Sequence, residues 1–215
     1  MHTYATTRLF LSTLFISLLL NLSLAKLTVA DELAPPQIGI QQASEQLRIK
    51  LKDQNFIHNF SAITQFVETT IYPHVDFDRI SALVLGQNWK QASSDDKARF
   101  TKEFKTLLVR TYSRAFIEFK DWSIRFLPLN MEAGANKAVV NTEVLQPGIQ
   151  PIGVSYRMIL VDGHWKAYDI MIEGVSLVTN YRSTFNNEIA RTGSLQSVIQ
   201  DLAKRNAEAL ASNKV

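Results

Sequence analysis

The spacing of apolar residues changes twice along this chain, and that change restricts the fold more than any other feature. Across residues 122–172 apolar and polar side chains alternate. Trp122, Ile124 and Phe126 alternate toward Pro128, and residues 137–145 form a second such run. A third, over 152–161, places Ile152, Val154, Tyr156, Met158 and Leu160 on one face. Period two marks a half-buried strand. Asp162-Gly163 is a two-residue hairpin signal of the type I′ kind, after which a fourth strand runs over 164–172. On both sides of this region the spacing is three or four, the period of a helix. Strands bounded by helices predict an α+β fold, with a four-stranded antiparallel meander covered on one face by the longest helix and its neighbours.

The helical stretches carry their own punctuation. Residues 40–54 place Ile40, Ala43, Leu47 and Leu51 on one stripe. Residues 60–71 repeat the pattern until Pro73 ends it, and 77–85 form a short helix closed by Gly86. Ser93 and Ser94, with Asp95 and Asp96 behind them, cap the longest helix and give it an acidic first turn. Its apolar face holds Phe100, Phe104, Leu107, Leu108, Tyr112, Ala115, Phe116 and Phe119, by default core packing. Two helices finish the chain, one over about 176–191 and one capped by Ser194 after a break at Gly193. The fourth strand ends at Gly174 and leads into the first of them.

The N-terminus predicts an address. Arg8 precedes an apolar run over residues 9–20, followed by small residues up to Ala30. This is the pattern of a secretory signal peptide over 1–30, with cleavage after Ala30 or after Ala25. The run is short against the roughly 20 residues that span a bilayer. With no Cys, neither a lipoprotein anchor nor a disulfide is available, and the core must hold the fold alone. Cleavage removes Arg8 and Lys26 but no acid, leaving 21 basic and 20 acidic residues, so the net charge falls from +3 to +1. That balance, without a basic block, argues against nucleic acid. The remaining 185 residues suit a single domain over 31–215, in which 31–38 is a short proline-stiffened leader.

Familiar catalytic motifs, the G-x-S-x-G elbow, H-E-x-x-H, the P-loop and the dinucleotide fingerprint, do not occur. His74-Val-Asp76-Phe-Asp78 offers three metal-ligand types, but an acidic helix start beside a surface His explains it better. Asp169 is a charge inside an apolar strand, costly unless paired. It would either act with Glu173 as an acid–base pair, or pair with a cross-strand Arg such as Arg157 or accept hydrogen bonds, while Glu173 caps the next turn. The second reading is favoured, and no catalytic or metal-binding residue is assigned.

Three blocks carry a resemblance. They are Ala82-Leu-Val-Leu-Gly-Gln87 followed by Trp89 and Lys90; the long capped helix with Phe100, Phe104, Leu107, Tyr112 and Ala115; and Trp165-Lys-Ala-Tyr-Asp169 through Glu173-Gly-Val-Ser176, with the tail around Thr192-Gly193. In this order the chain resembles the MlaC or toluene-tolerance family of periplasmic phospholipid-binding proteins of the Mla lipid-asymmetry pathway. Ser93-Ser94 departs from the Thr-Pro frequent in that family, though both start a helix.

The resemblance implies a cone-shaped, nuclear-transport-factor-like domain with a deep apolar cavity between sheet and helices. It implies a non-enzymatic, monomeric carrier without cofactor, whose cargo is a phospholipid held by its acyl chains. Its partners would be an outer-membrane lipoprotein–porin complex and an inner-membrane ABC transporter with a ring of MCE domains. An acyl chain of about fourteen methylenes is held in a bilayer by roughly 11 kcal/mol, which a carrier must largely replace. Such a site needs a volume near the top of the usual ~300–1,000 Å³ range. Val140, Val154, Tyr156, Met158, Tyr168 and Ile170 would form the sheet wall, and Leu83, Leu108, Tyr112 and Phe116 the helix wall. Val175, Val178 and Tyr181 would lie at the mouth. A one-residue slip in any strand would exchange its faces. Competing readings are an isomerase or dehydratase on the same cone, with Asp169 as base and Tyr156 or Tyr168 as donor, and a solid-cored adaptor or chaperone. A diffusible carrier must lose its apolar N-terminus, so N-terminal sequencing of the mature protein should read from Asp31 or nearby; retention of residues 9–20 would contradict it.

Overall fold

Caps and glycines place the helix boundaries. The structure, a computed structural model, describes residues 32–118 and 121–213, the side chain of Phe116 excepted; the expected signal segment and Phe119 lie outside these residues. The chain divides into Met1–Leu33 and a compact unit Ala34–Val215, which holds every helix and strand among the described residues. Helix α1 (Pro35–Lys50) starts at the prolines rather than at Ile40. Proline suits a first helical turn, whose N–H groups have no partner in any case. The Gln37 side chain completes the start by accepting from the Ala34 N–H at 2.8 Å. Asp53 caps α2 (Gln54–Ile57) and Asn59 caps α3 (Phe60–Thr70). Pro73 sits in a 3-10 turn (Tyr72–His74) that ends the run.

Asp76 accepts the Arg79 N–H at 3.0 Å and so opens α4 (Phe77–Leu85). Gly86, at φ 55° and ψ −116°, breaks the chain between α4 and α5 (Gln87–Gln91), a conformation open only to glycine. Ser93 accepts the Asp96 N–H at 3.1 Å to start α6 (Ser94–Glu118). Ser176 caps α7 (Leu177–Thr192), and Ser194 caps α8 (Leu195–Ser212) beyond Gly193.

The sheet is a meander of five antiparallel strands in sequence order, one more than expected: β1 (Ser123–Phe126), β2 (Lys137–Gln146), β3 (Ile149–Val161), β4 (His164–Ile172) and β5 (Val175–Ser176). Asp162 and Gly163 both have positive φ, as the type I′ turn requires. Glu173 and Gly174, at φ 49° and 79°, repeat that turn and fold β5 back onto β4. A strand of two residues leaves no alternation to read, so the sequence showed only a strand running into a helix. Between β3 and β4 the register shifts by one. Arg157 pairs with Asp169 and Met158 with Ala167, leaving Tyr168 as the bulged residue.

The layers meet differently from the expectation. The long helix α6 packs mainly on α8, α4 and α3, and no strand is among its main partners. The helices meet the sheet mainly at β4, which touches α7, α1, α4 and the 3-10 turn, while α1 also reaches β1 and β2. The largest core cluster lies among the helices, where Phe100, Phe104, Tyr181 and Phe185 interlock at centroid distances of 5.0–6.1 Å. Each such pair contributes about 0.5–1.5 kcal/mol beyond burial. A second cluster joins α2 and α3 to Val109 and Ile117 of α6, and a third covers the sheet.

Asp169 joins the sheet to the helices. It is 3% exposed and accepts from Ser176 Oγ at 2.8 Å and from the Val178 N–H at 3.2 Å. Arg157 stands 3.6 Å away with a side chain 47% exposed. The two hydrogen bonds therefore outweigh the ion pair, since an exposed pair contributes only about 0–1 kcal/mol. In urea unfolding, Asp169→Ala should destabilise by about 1–3 kcal/mol or more, through the stranded Ser176 and Val178 donors. Arg157→Gln should cost clearly less; the reverse order would assign the anchor to the ion pair.

His74 gives stability a pH dependence. Gly39 of α1 admits its ring, since a β-carbon there would lie 2.8 Å from His74 Nδ1. Burial lowers the imidazole pKa below its ordinary value of about 6.5. The folded state then favours the neutral ring, a contribution present above pH ~6.5 and lost as the pH falls below it. Denaturation midpoints between pH 8 and 5 should fall less steeply for His74→Gln than for the parent chain.

Candidate functional site

Two apolar surfaces, one on the helices and one on the sheet, collect most of the residues singled out from the sequence. On the helices, Leu83 of α4, Leu108 and Tyr112 of α6 and Tyr168 of β4 are half-buried and pack against the main core cluster. Val178 and Tyr181 of α7 belong to that cluster's buried part, not to an exposed rim. The side chains of Tyr112 and Tyr181 are hydrogen-bonded, and burial raises the Tyr112 hydroxyl pKa far above its ordinary range. Val175, on β5, lies apart at 61% exposed.

On the sheet, Val140 and Met158 are buried and Tyr156 is half-buried, in a cluster with Ile40, Ala138, Ala167, Phe126, Leu129 and Trp165. Val154 is buried beside them, with Thr142 and Ile172 as its register partners. Ile170 is half-buried opposite Tyr156. The β3 face read from the alternation is therefore the covered one as far as Met158. Leu160, at the end of the same alternation, is exposed.

Half-burial recurs on both layers. Ile152, Tyr156, Ile170 and Ile172 on the strands, and Leu107, Leu108 and Tyr112 on α6, are apolar side chains that neither layer covers fully. No strand is among the main partners of α6. The expected deep cavity is not shown. Two open depressions, of about 420 and 410 Å³, indent the surface among the described residues. The first is lined by Lys50, Asp53, Phe56, Asn59 and Phe66 among others, and the second by residues of α4, α5 and α7 with Gly86.

Polar groups inside these surfaces are few and engaged. Thr142, on the covered sheet face, donates to the Val154 carbonyl at 3.0 Å. It also hydrogen-bonds Tyr156, whose hydroxyl pKa is raised by desolvation and drawn back partly by that bond. A lone Thr in an alternating run gave no sign of this role, and Leu129, in a loop without periodicity, gave none of its packing on the sheet.

The acid–base alternative is not assembled. Both Asp169 oxygens are engaged by α7, and Asp169 pairs with Arg157 while Tyr156 pairs with Ile170. Successive residues point to opposite faces, so Asp169 and Tyr156 lie on different sides of the sheet. Glu173 does not cap the following turn. Its carboxylate accepts the Gly153 N–H, and its own N–H donates to the Gly153 carbonyl at 2.9 Å, which closes the end of the β3–β4 pair. In the His74–Asp78 segment, Asp76 is occupied by the cap of α4 and an ion pair with Arg79. Among the described residues no three His, Cys, Asp or Glu side chains gather as metal ligands, and no helix is long and apolar enough to cross a membrane.

Comparison with known proteins extends over the same domain. A family model described as MlaC protein matches residues 41–204. The chain is 25% identical over 149 residues to the intermembrane phospholipid transport system binding protein MlaC of Haemophilus influenzae, covering 66% of this chain and 69% of that protein. It is 24% identical over 170 residues to the toluene tolerance protein ttg2D of Pseudomonas putida, covering 78% of each. A phospholipid-binding protein from Ralstonia solanacearum, solved in complex with a phospholipid, superposes with a TM-score of 0.75 at 29% identity, over 83% of this chain and 99% of that one. With residues 41–204 matched by the family model and 83% of the chain matched in fold, the chain belongs to the MlaC protein family.

Proposed function

We propose that this protein is a periplasmic carrier that binds a phospholipid by its acyl chains and moves it between membranes without chemical change. The observation that carries the reading is the likeness, across nearly the whole domain, to a relative solved with a phospholipid bound. The distribution of burial supports it. A solid core would cover its apolar residues, whereas here both the sheet face and α6 keep a row of them half-covered. The chains lie between these rows, with Val140, Val154, Tyr156, Met158 and Ile170 on one side and Leu83, Leu108 and Tyr112 on the other, where the bulge at Tyr168 turns that residue to the helices instead of the sheet wall expected for it. Phe116 belongs to the same helix face by spacing. Val178 and Tyr181 support the helix wall from behind, and Val175 marks the rim.

In this reading the protein acts as a monomeric carrier and not as an enzyme, with Asp169 serving as an anchor for Ser176 and the Val178 N–H and not as a base. Its two docking partners are a lipoprotein–porin complex at the outer membrane and an MCE-ringed ABC transporter at the inner membrane. Delivery of lipid to one and from the other maintains lipid asymmetry.

Native mass spectrometry of the purified protein should find a co-purified phospholipid at near one per chain. Filling the space is the sharper measurement. Leu108→Trp, at a half-buried position, should leave the protein folded and lower the bound lipid. Val140→Trp and Val154→Trp, at buried positions, should also destabilise by about 1–3 kcal/mol through overpacking. Unchanged lipid content in folded protein at all three positions would remove this wall assignment, and absence of lipid from the parent chain, even after incubation with vesicles, would remove the carrier reading.

A further inference from the structure

The second of the two surface depressions, about 410 Å³ in volume, touches the apolar surface at one residue, Leu83. Its other walls are of different chemistry. Gln87 and Lys90 of α5 and Arg182 and Asn186 of α7 face it, and no carboxylate lines it. Eight other arginines are paired with a carboxylate, but among the described residues neither Arg182 nor Lys90 has one. Arg182 is nevertheless held in place: its Nε donates to the Leu83 carbonyl at 2.7 Å. That bond uses one edge of the guanidinium and leaves both Nη groups without a partner among the described residues. Asn186 accepts from Asn88 at 3.4 Å through Oδ1, so its amide N–H groups also remain available.

An anchored guanidinium with two free Nη groups, a second unpaired cation and amide donors make a receptor for a phosphate oxyanion. Its position decides whose phosphate it takes. Leu83 belongs both to this depression and to the helix wall, and Arg182 follows Tyr181, which backs that wall. In a phospholipid the phosphate lies directly beyond the acyl chains, so one molecule can span both surfaces. We infer that Arg182 and Lys90, with Gln87 and Asn186, form the seat of the lipid phosphate, and that this seat recognises the phosphate of the head group rather than its variable end. The inference rests on the carrier reading and adds to it a source of selectivity for phospholipid over neutral lipid.

The experiment compares two lipids with the same chains. Wild type, Lys90→Gln and the double variant Lys90→Gln/Arg182→Gln are incubated with dioleoyl-phosphatidylglycerol vesicles or with dioleoylglycerol in detergent, and bound lipid is counted by native mass spectrometry. Lys90→Gln keeps the Arg182–Leu83 bond, so it reports on charge without disturbing the link between α4 and α7; thermal melting checks both variants. The half-saturating phosphatidylglycerol concentration should rise several-fold in the single variant and about tenfold or more in the double variant, since hydrogen bonds to charged groups are the strong ones. Dioleoylglycerol binding should not change.

Equal losses for both lipids, or no loss for either, would overturn the inference while leaving the carrier reading intact. A third arm titrates inorganic phosphate. Phosphate that binds wild type but not the double variant, with lipid uptake unchanged between them, would make this a site for the free ion and overturn the head-group assignment. Wild type that takes up neither lipid would overturn the carrier reading and this inference together.

Discussion

The structure depends on one buried carboxylate. Asp169 sits in β4, and its two oxygens hold the Ser176 hydroxyl and the Val178 N–H at the start of α7. A helix N-terminus presents unpaired N–H groups and a partial positive charge, so a carboxylate there is stabilised without needing a full cation. The half-exposed Arg157 is a secondary partner. Fixing the first turn of α7 fixes its direction, and with it the delivery of Val178, Tyr181 and Phe185 into the helix cluster around Phe100 and Phe104. The sheet and the helices are thereby joined at a polar point, which frees the apolar surfaces on either side from having to bind each other.

That division of labour has an energetic logic. Apolar area left uncovered contributes nothing to folding at ~25 cal/mol per Å². The stability has to come from elsewhere. Here it comes from the helix cluster, whose four aromatic rings interlock, and from the α2–α3 cluster seated on α6. The long helix leans on α8, α4 and α3, so its remaining face can stay half-covered at Leu108 and Tyr112. The sheet likewise closes its far end around Val140, Met158 and Ile40 while Ile152, Ile170 and Ile172 remain accessible.

The same surface changes character across Leu83. Leu83 packs against the helix cluster, as Leu108 and Tyr112 do, and also lines the depression that Lys90 and Arg182 face. The break at Gly86 brings this about, because it turns α5 so that Gln87 and Lys90 face α7 across the depression. No larger side chain adopts that backbone conformation without strain.

Sequence alone determined what is local or periodic. The helical stripes, the Ser93 and Ser194 caps, the Asp162-Gly163 turn and the covered face of β3 follow from residue spacing and turn chemistry. So did the pairing of Asp169, because a charge inside an apolar strand requires a partner. The family resemblance was legible in the order of three separate blocks. Tertiary structure decided what depends on distance through space. Periodicity shows that α6 has an apolar face, but not that this face rests on α8, α4 and α3 instead of the sheet. It did not reveal β5, too short to alternate, or the bulge at Tyr168, which shifts the register by a single residue. Nor did it bring Lys90 to Arg182, because charges far apart in the chain share a site only when Gly86 turns one helix and Asp169 orients the other.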